Sequence, residues 1–120
     1  MACPSEYLSK GYNCAESLIK SYNEEHNQNI PLGLGSGMGA GVGVGSLCGA
    51  INAGIVIIGY LKGRNDNTET NMARNYSREF ITTIKEKYST EMCRELKANN
   101  ISCAEIVDFS YNTLIKMLEK

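Results

Sequence analysis

Cysteine is the residue type that stands out for chemistry in this chain, at Cys3, Cys14, Cys48, Cys93 and Cys103. A thiolate attacks disulfides and oxidants, and it binds zinc and iron. Two thiols that meet can cycle between dithiol and disulfide, and four can surround a metal ion or an iron–sulfur cluster. No two of the five have the C-x-x-C spacing of a thioredoxin-like site or a zinc knuckle. Any shared site must therefore be assembled by the fold from distant parts of the chain. Four cysteines permit three disulfide pairings, and spacing does not choose among them. The plainer role is core filler, because a free cysteine behaves as a small hydrophobe.

The other candidates for chemistry are weaker. His26, the only histidine, lies in the polar stretch EEHNQNIP and reads as a solvated loop residue without a triad partner. No paired carboxylates stand at a spacing suited to acid–base hydrolysis. Tyr7, Tyr12, Tyr22, Tyr76 and Tyr88 follow helical stripes and read as core and core rim.

The elements that must position the thiols read as helices. Tyr7, Leu8, Gly11, Tyr12, Ala15, Leu18, Ile19 and Tyr22 recur every three to four residues, an amphipathic helix of about five turns with Cys14 on the margin of its apolar stripe. From Ser46 a second helix carries a small face of Ser46, Gly49, Ala50, Ala53 and Gly54 beside a bulky one of Leu47, Ile51, Ile55, Ile58 and Leu61, with Gly63 as its stop. A small face admits a close neighbour, either within the chain or across a homodimer. A third helix runs from about 67 to 88, with Asp66 as a candidate cap and Ala73, Tyr76, Phe80, Ile84 and Tyr88 on one side. A short helix follows in STEMCRELK, capped by Ser89 or Thr90. Ser102 and Glu105 have capping-box spacing for the last one. No stretch alternates as a strand would, so the expected fold is all-α: one domain over residues 1–120, a compact bundle of about five helices.

Between the first two helices, glycine occupies every odd position from 33 to 45. GSGMGA at 35–40 fits a relaxed dinucleotide fingerprint, but no strand precedes it, and no phosphate-loop Gly-Lys-Ser/Thr occurs. The G-x-x-x-G spacing favours close helix contact. In water, however, each glycine costs a helix about 1 kcal/mol against alanine, so seven cost on the order of 5 kcal/mol or more. The segment therefore reads as an irregular, tightly packed spacer that leads into the small-faced helix and permits close approach to Cys48.

Three cysteines fall near expected helix starts: Cys103 behind Ser102, Cys48 two residues after Ser46, and Cys93 in the first turns after Ser89. Helix amino ends favour thiolate over thiol, and Arg94 adds positive charge beside Cys93.

Composition limits the partners. The 120 residues carry a net charge of -1 with no basic stripe, which argues against nucleic acid. The longest apolar stretch, 47–61, is shorter than the roughly 20 residues a bilayer requires and contains Asn52, so no membrane span is expected. The first residues, MACPSEYLSK, lack a secretory signal pattern, which points to the cytoplasm. That compartment keeps thiols reduced, so repeated cysteines there suggest redox or metal chemistry more than structural disulfides.

GYNCAESLI, then SLCGAINAGIVIIGYLKGR, then CREL, then a cysteine opening the last helix resembles the C_GCAxxG_C_C family, named for four cysteines around a CGAxxG motif. The resemblance implies a small helical domain with a redox role and Cys14, Cys48, Cys93 and Cys103 as the functional set, with Cys3 outside it. The chain departs from the motif at Ala53, where the family has glycine. If that glycine serves a special backbone angle, the departure bears on the site.

Three readings follow. The first is a thiol–disulfide oxidoreductase that needs no cofactor and exchanges with a partner protein or a small-molecule thiol or disulfide. The second is a zinc or iron–sulfur protein using the same four cysteines as ligands. The third is a structural or partner-binding helical module whose cysteines fill the core.

Overall fold

The computed structural model describes residues 3–119. In chain order they form α1 (Pro4–Leu8), α2 (Cys14–His26), a short 3₁₀ helix (Leu32–Met38), a wide turn (Gly41–Gly45), α3 (Gly49–Lys62), α4 (Met72–Tyr88), α5 (Cys93–Ala98) and α6 (Cys103–Leu118). No strand is present among the described residues. Leu47 and Met92 form an isolated antiparallel bridge. The fold is an all-α bundle, as the helical periodicity requires.

The bundle forms because α2, α3, α4 and α6 each turn one apolar face inward. Leu18 and Ile19 of α2, Ile51, Ile57 and Ile58 of α3, Phe80 and Ile84 of α4, and Val107, Tyr111 and Leu114 of α6 are fully buried. Each such side chain contributes about 1.5–3 kcal/mol by leaving water. The small face of α3 is used within the chain: Gly49, Ala50, Ala53 and Gly54 are buried, and the Phe80 ring lies against Gly54. None of the described helices is long and apolar enough to cross a membrane.

Several boundaries differ from the sequence reading. The expected first helix is two, which raises the number of α-helices among the described residues from about five to six. Gly11 stands at φ +101, a backbone region closed to most side chains, and ends the first piece. Asn13 then opens α2 with a full capping box: its side chain accepts from Glu16 N (2.7 Å), and Glu16 Oε1 accepts from Asn13 N (3.0 Å). His26 is the last residue of α2, not a loop residue, with its ring stacked on Tyr22 at 4.3 Å.

α4 starts at Met72 behind Asn71, whereas Asp66 accepts from the N–H and hydroxyl of Thr68 and makes a turn of its own. Ser89 closes α4 in the left-handed region instead of opening α5. Thr90 takes up the Met92 N–H at 3.1 Å. The box at Ser102 is half made: Ser102 Oγ accepts from Glu105 N (3.1 Å), but the Glu105 carboxylate accepts the Tyr88 hydroxyl proton at 2.9 Å. Gly63 ends α3 as expected. Tyr22 and Tyr88 are buried, and Tyr7, Tyr12 and Tyr76 are half-buried, in keeping with core and rim. Ala53 is a buried residue inside α3 and is not among the positive-φ positions, so no special glycine angle is required there.

Candidate functional site

Each of the four motif cysteines stands where a helix begins. Cys14 is the first residue of α2 behind Asn13, Cys48 is the N-cap of α3, Cys93 is the first residue of α5, and Cys103 is the first residue of α6 behind Ser102. Sequence periodicity placed three of them near helix starts and set Cys14 inside a longer helix. The signal for the fourth was the spacing of Asn13 and Glu16. Cys48 caps α3 itself instead of following Ser46 into the helix, because Ser46 has non-helical backbone (φ -83, ψ -139).

These helix starts converge. One cavity of about 90 Å³ is lined by Cys14, Cys48, Cys93 and Cys103 together, closed by the apolar side chains of Leu96, Ile101 and Ile106, with Lys97 as the basic residue in its wall. Arg94, expected to add charge beside Cys93, packs its stem along Gly45. Cys3 is exposed and outside the lining, with its sulfur 3.6 Å from Ser5 Oγ.

Two local devices bring these distant residues together. The first is the antiparallel bridge. Cys48 N donates to Glu91 O (3.0 Å), and Cys93 N donates to Ser46 O (2.7 Å), which locks the start of α3 to the start of α5. The second is the glycine-rich segment. Asn13 Nδ2 donates to the carbonyls of Gly35 and Ser36 (3.2 Å each), and Ser36 Oγ donates to Glu16 Oε2 (2.7 Å), so the segment is tied to the start of α2. It then runs through a left-handed stretch, with φ of 54, 62, 61 and 76 at residues 40–43.

A methyl group at Gly41 would stand 2.6 Å from Ser46 N and 2.7 Å from Cys93 Cβ. One at Gly49 would stand 2.9 Å from Met38 O and 3.5 Å from Cys14 Cβ. The glycines thus act as spacers, as expected, and the close approach extends beyond Cys48 to Cys93 and Cys14.

Desolvation governs the thiols of Cys48 and Cys14. Cys48 is 4% exposed, and removal from water pushes its thiol up. The N–H groups of Ile51 and Ala50 oppose that rise without making a full capping hydrogen bond. Burial also pushes Cys14 up to about 12 from its ordinary 9.0, helped by the charges of Cys103 and Cys48, by a hydrogen bond with Cys103, and by Cys93. A helix amino end favours thiolate only while solvent or counter-charge offsets desolvation. The expected lowering of the Cys48 thiol by its helix start is therefore overcome by burial, and Cys14, for which no lowering was expected, is raised as well.

Among the described residues, no group of three or more His, Cys, Asp or Glu side chains is arranged to hold a metal ion. What the site offers chemically is four free thiols around one small apolar cavity. The family model described as "Putative redox-active protein (C_GCAxxG_C_C)" matches residues 12–117. No curated protein and no solved structure matches the chain.

Proposed function

From the premise that this chain belongs to the C_GCAxxG_C_C family, we propose that it is a thiol-redox protein in which Cys14, Cys48, Cys93 and Cys103 cycle between dithiol and disulfide. The observation that carries the reading is the shared cavity: four thiols more than thirty residues apart in sequence, apart from the pair 93 and 103, line one space. Core filler has no reason to gather in this way. In the forward step a thiolate attacks a partner disulfide, a mixed disulfide forms, and one partner sulfur leaves as a thiol. A second cysteine then attacks the mixed disulfide and releases the other partner sulfur. Two protein thiols thereby lose two electrons and two protons, and the partner disulfide gains both as two thiols.

Cys93 and Cys103 are half-buried and suit the attacking role. Cys48 is buried, Cys14 is half-buried, and desolvation raises both thiols; these two suit resolution, since a thiolate of raised pKa is the stronger nucleophile once it forms. The partner is a protein or small-molecule disulfide, and the working compartment is the reducing cytoplasm.

The test is a count of alkylatable thiols by mass, on the full chain equilibrated at a series of glutathione potentials. The reading expects the count to fall in steps of two as the potential rises. A count that stays constant across the series overturns it. Anaerobic purification with metal analysis tests the zinc and iron–sulfur alternative: stoichiometric zinc, or iron with sulfide, replaces the thiol reading. Support for dithiol chemistry over a single bound ion comes from the absence, among the described residues, of a three-ligand group at metal spacing.

A further inference from the structure

Four cysteines allow three pairings, and the geometry points to one of them: we infer that Cys48 pairs with Cys93 and Cys14 with Cys103, two separate dithiols in one cavity. The inference rests on the thiol reading above and adds to it a specific connectivity. The backbone argument concerns Cys48 and Cys93. Leu47 faces Met92 in the antiparallel bridge, and hydrogen bonds on either side of it join Cys48 N to Glu91 O and Cys93 N to Ser46 O. Residues along extended backbone alternate sides. Cys48 follows Leu47 and Cys93 follows Met92, so both cysteines leave on the side opposite the Leu47–Met92 pair. They are diagonal neighbours on one side of the bridge. Both are also in the cavity wall.

The remaining wall thiols are Cys14 and Cys103, each the first residue of a long helix. The ionisation of Cys14 is opposed by Cys103 more than by Cys48 or Cys93. At Cys48 the charge of Cys93 outweighs that of Cys103. Backbone register singles out Cys48 with Cys93, and the shared cavity leaves Cys14 with Cys103.

In each pair, oxidation forms one S–S bond and breaks two S–H bonds. Two protons and two electrons go to the oxidant, a disulfide that leaves as two thiols. Full oxidation therefore gives up four electrons, and Cys3 remains a free thiol.

The chain's own tryptic sites resolve the question. Lys10, Lys20, Lys62, Lys87, Arg94 and Lys97 put each of the five cysteines in a different peptide. The experiment oxidises the full chain with oxidised glutathione, blocks residual thiols by alkylation, digests without reduction and identifies linked peptides by mass. The expected map links the Cys48 peptide to the Cys93 peptide, and the Cys14 peptide to the Cys103 peptide. Cys93→Ser should lose the first link and keep the second.

Thiols that disappear in steps of two with any other map overturn the pairing and leave the redox reading intact. A chain that forms no disulfide overturns both. Loss of both links in Cys93→Ser, in protein that keeps its helical circular dichroism, overturns the separation into two dithiols.

Discussion

At its amino end α3 meets the glycine-rich segment and the four cysteines, and farther along the same helix it meets Phe80 of α4. The contact at the start is backbone against backbone: Met38 O lies over Gly49, and Ser46 folds onto Gly41. The contact farther along is a ring and branched chains packed against small residues, with Phe80 and Ile84 fully buried. The first region is fixed by left-handed dihedrals and a few named hydrogen bonds, the second by removal of apolar area from water. The two should therefore fail differently. Damage to the apolar region should lower stability and spare the thiol chemistry of whatever remains folded. Damage to the glycine region should change the chemistry out of proportion to the stability lost.

Phe80→Ala is the largest expected effect. Truncating a fully buried aromatic ring costs about 3–5 kcal/mol, read as a fall in the urea midpoint. The folded fraction should still give the same disulfide map after oxidation. An altered map in that variant would erase the distinction between the two regions.

Gly41→Ala comes next. Alanine at φ +62 carries the left-handed penalty of about 1–2 kcal/mol. The added methyl must also displace Ser46 or Cys93. The expected outcome is a modest loss in denaturant midpoint together with a slowed or lost Cys48–Cys93 link. A variant that loses stability but oxidises at the normal rate with the normal map would reduce the glycine segment to scaffolding.

The contrast also explains what could be read from the residues. The stripes of Leu18, Ile19 and Tyr22, of Phe80, Ile84 and Tyr88, and of Val107, Tyr111 and Leu114 repeat at 3.6, so the helices and their inward faces were legible from sequence spacing. The break at Gly11 was hidden because the apolar period runs straight through it, and only the Asn13–Glu16 spacing marked the new start. The irregularity of 33–45 followed from the helix cost of glycine, but its course did not. Ala40 and Val42 adopt positive φ, which neither residue prefers, on either side of Gly41, where a Cβ would collide with Ser46 and Cys93. Convergence of the cysteines depends on the Leu47–Met92 bridge, a contact across forty-five positions that no local pattern encodes.

Alkali gives a smaller and conditional effect. The folded-state value of Cys14 is raised above its unfolded one, so the bound proton stabilises the fold. That contribution is complete below pH 9.0 and is lost as pH rises through about 12. Tyr88 and Tyr111, also raised, act in the same direction, so the wild type must be compared with Cys14→Ala. Denaturant midpoints measured under reducing conditions should fall more steeply between pH 9.0 and 12 in the wild type than in the variant. Parallel curves would mean that Cys14 is not held away from water.

The smallest effect concerns the motif's own departure, and it tests both regions at once. Ala53 lies one turn beyond Gly49, close to the cavity in sequence, yet it faces the core and is fully buried in regular helix. If its position belonged to the glycine region, restoring the family's residue should alter the thiols. If it belongs to the apolar region, Ala53→Gly only loosens a helix interior, at about 0.5–1 kcal/mol. It sits at ordinary helical dihedrals, and no backbone angle or close approach there demands glycine, so the second outcome is expected: a slightly lower denaturant midpoint, with the oxidation rate and disulfide map of the wild type. A faster or re-paired oxidation in Ala53→Gly would move the boundary between the two regions a full turn into α3.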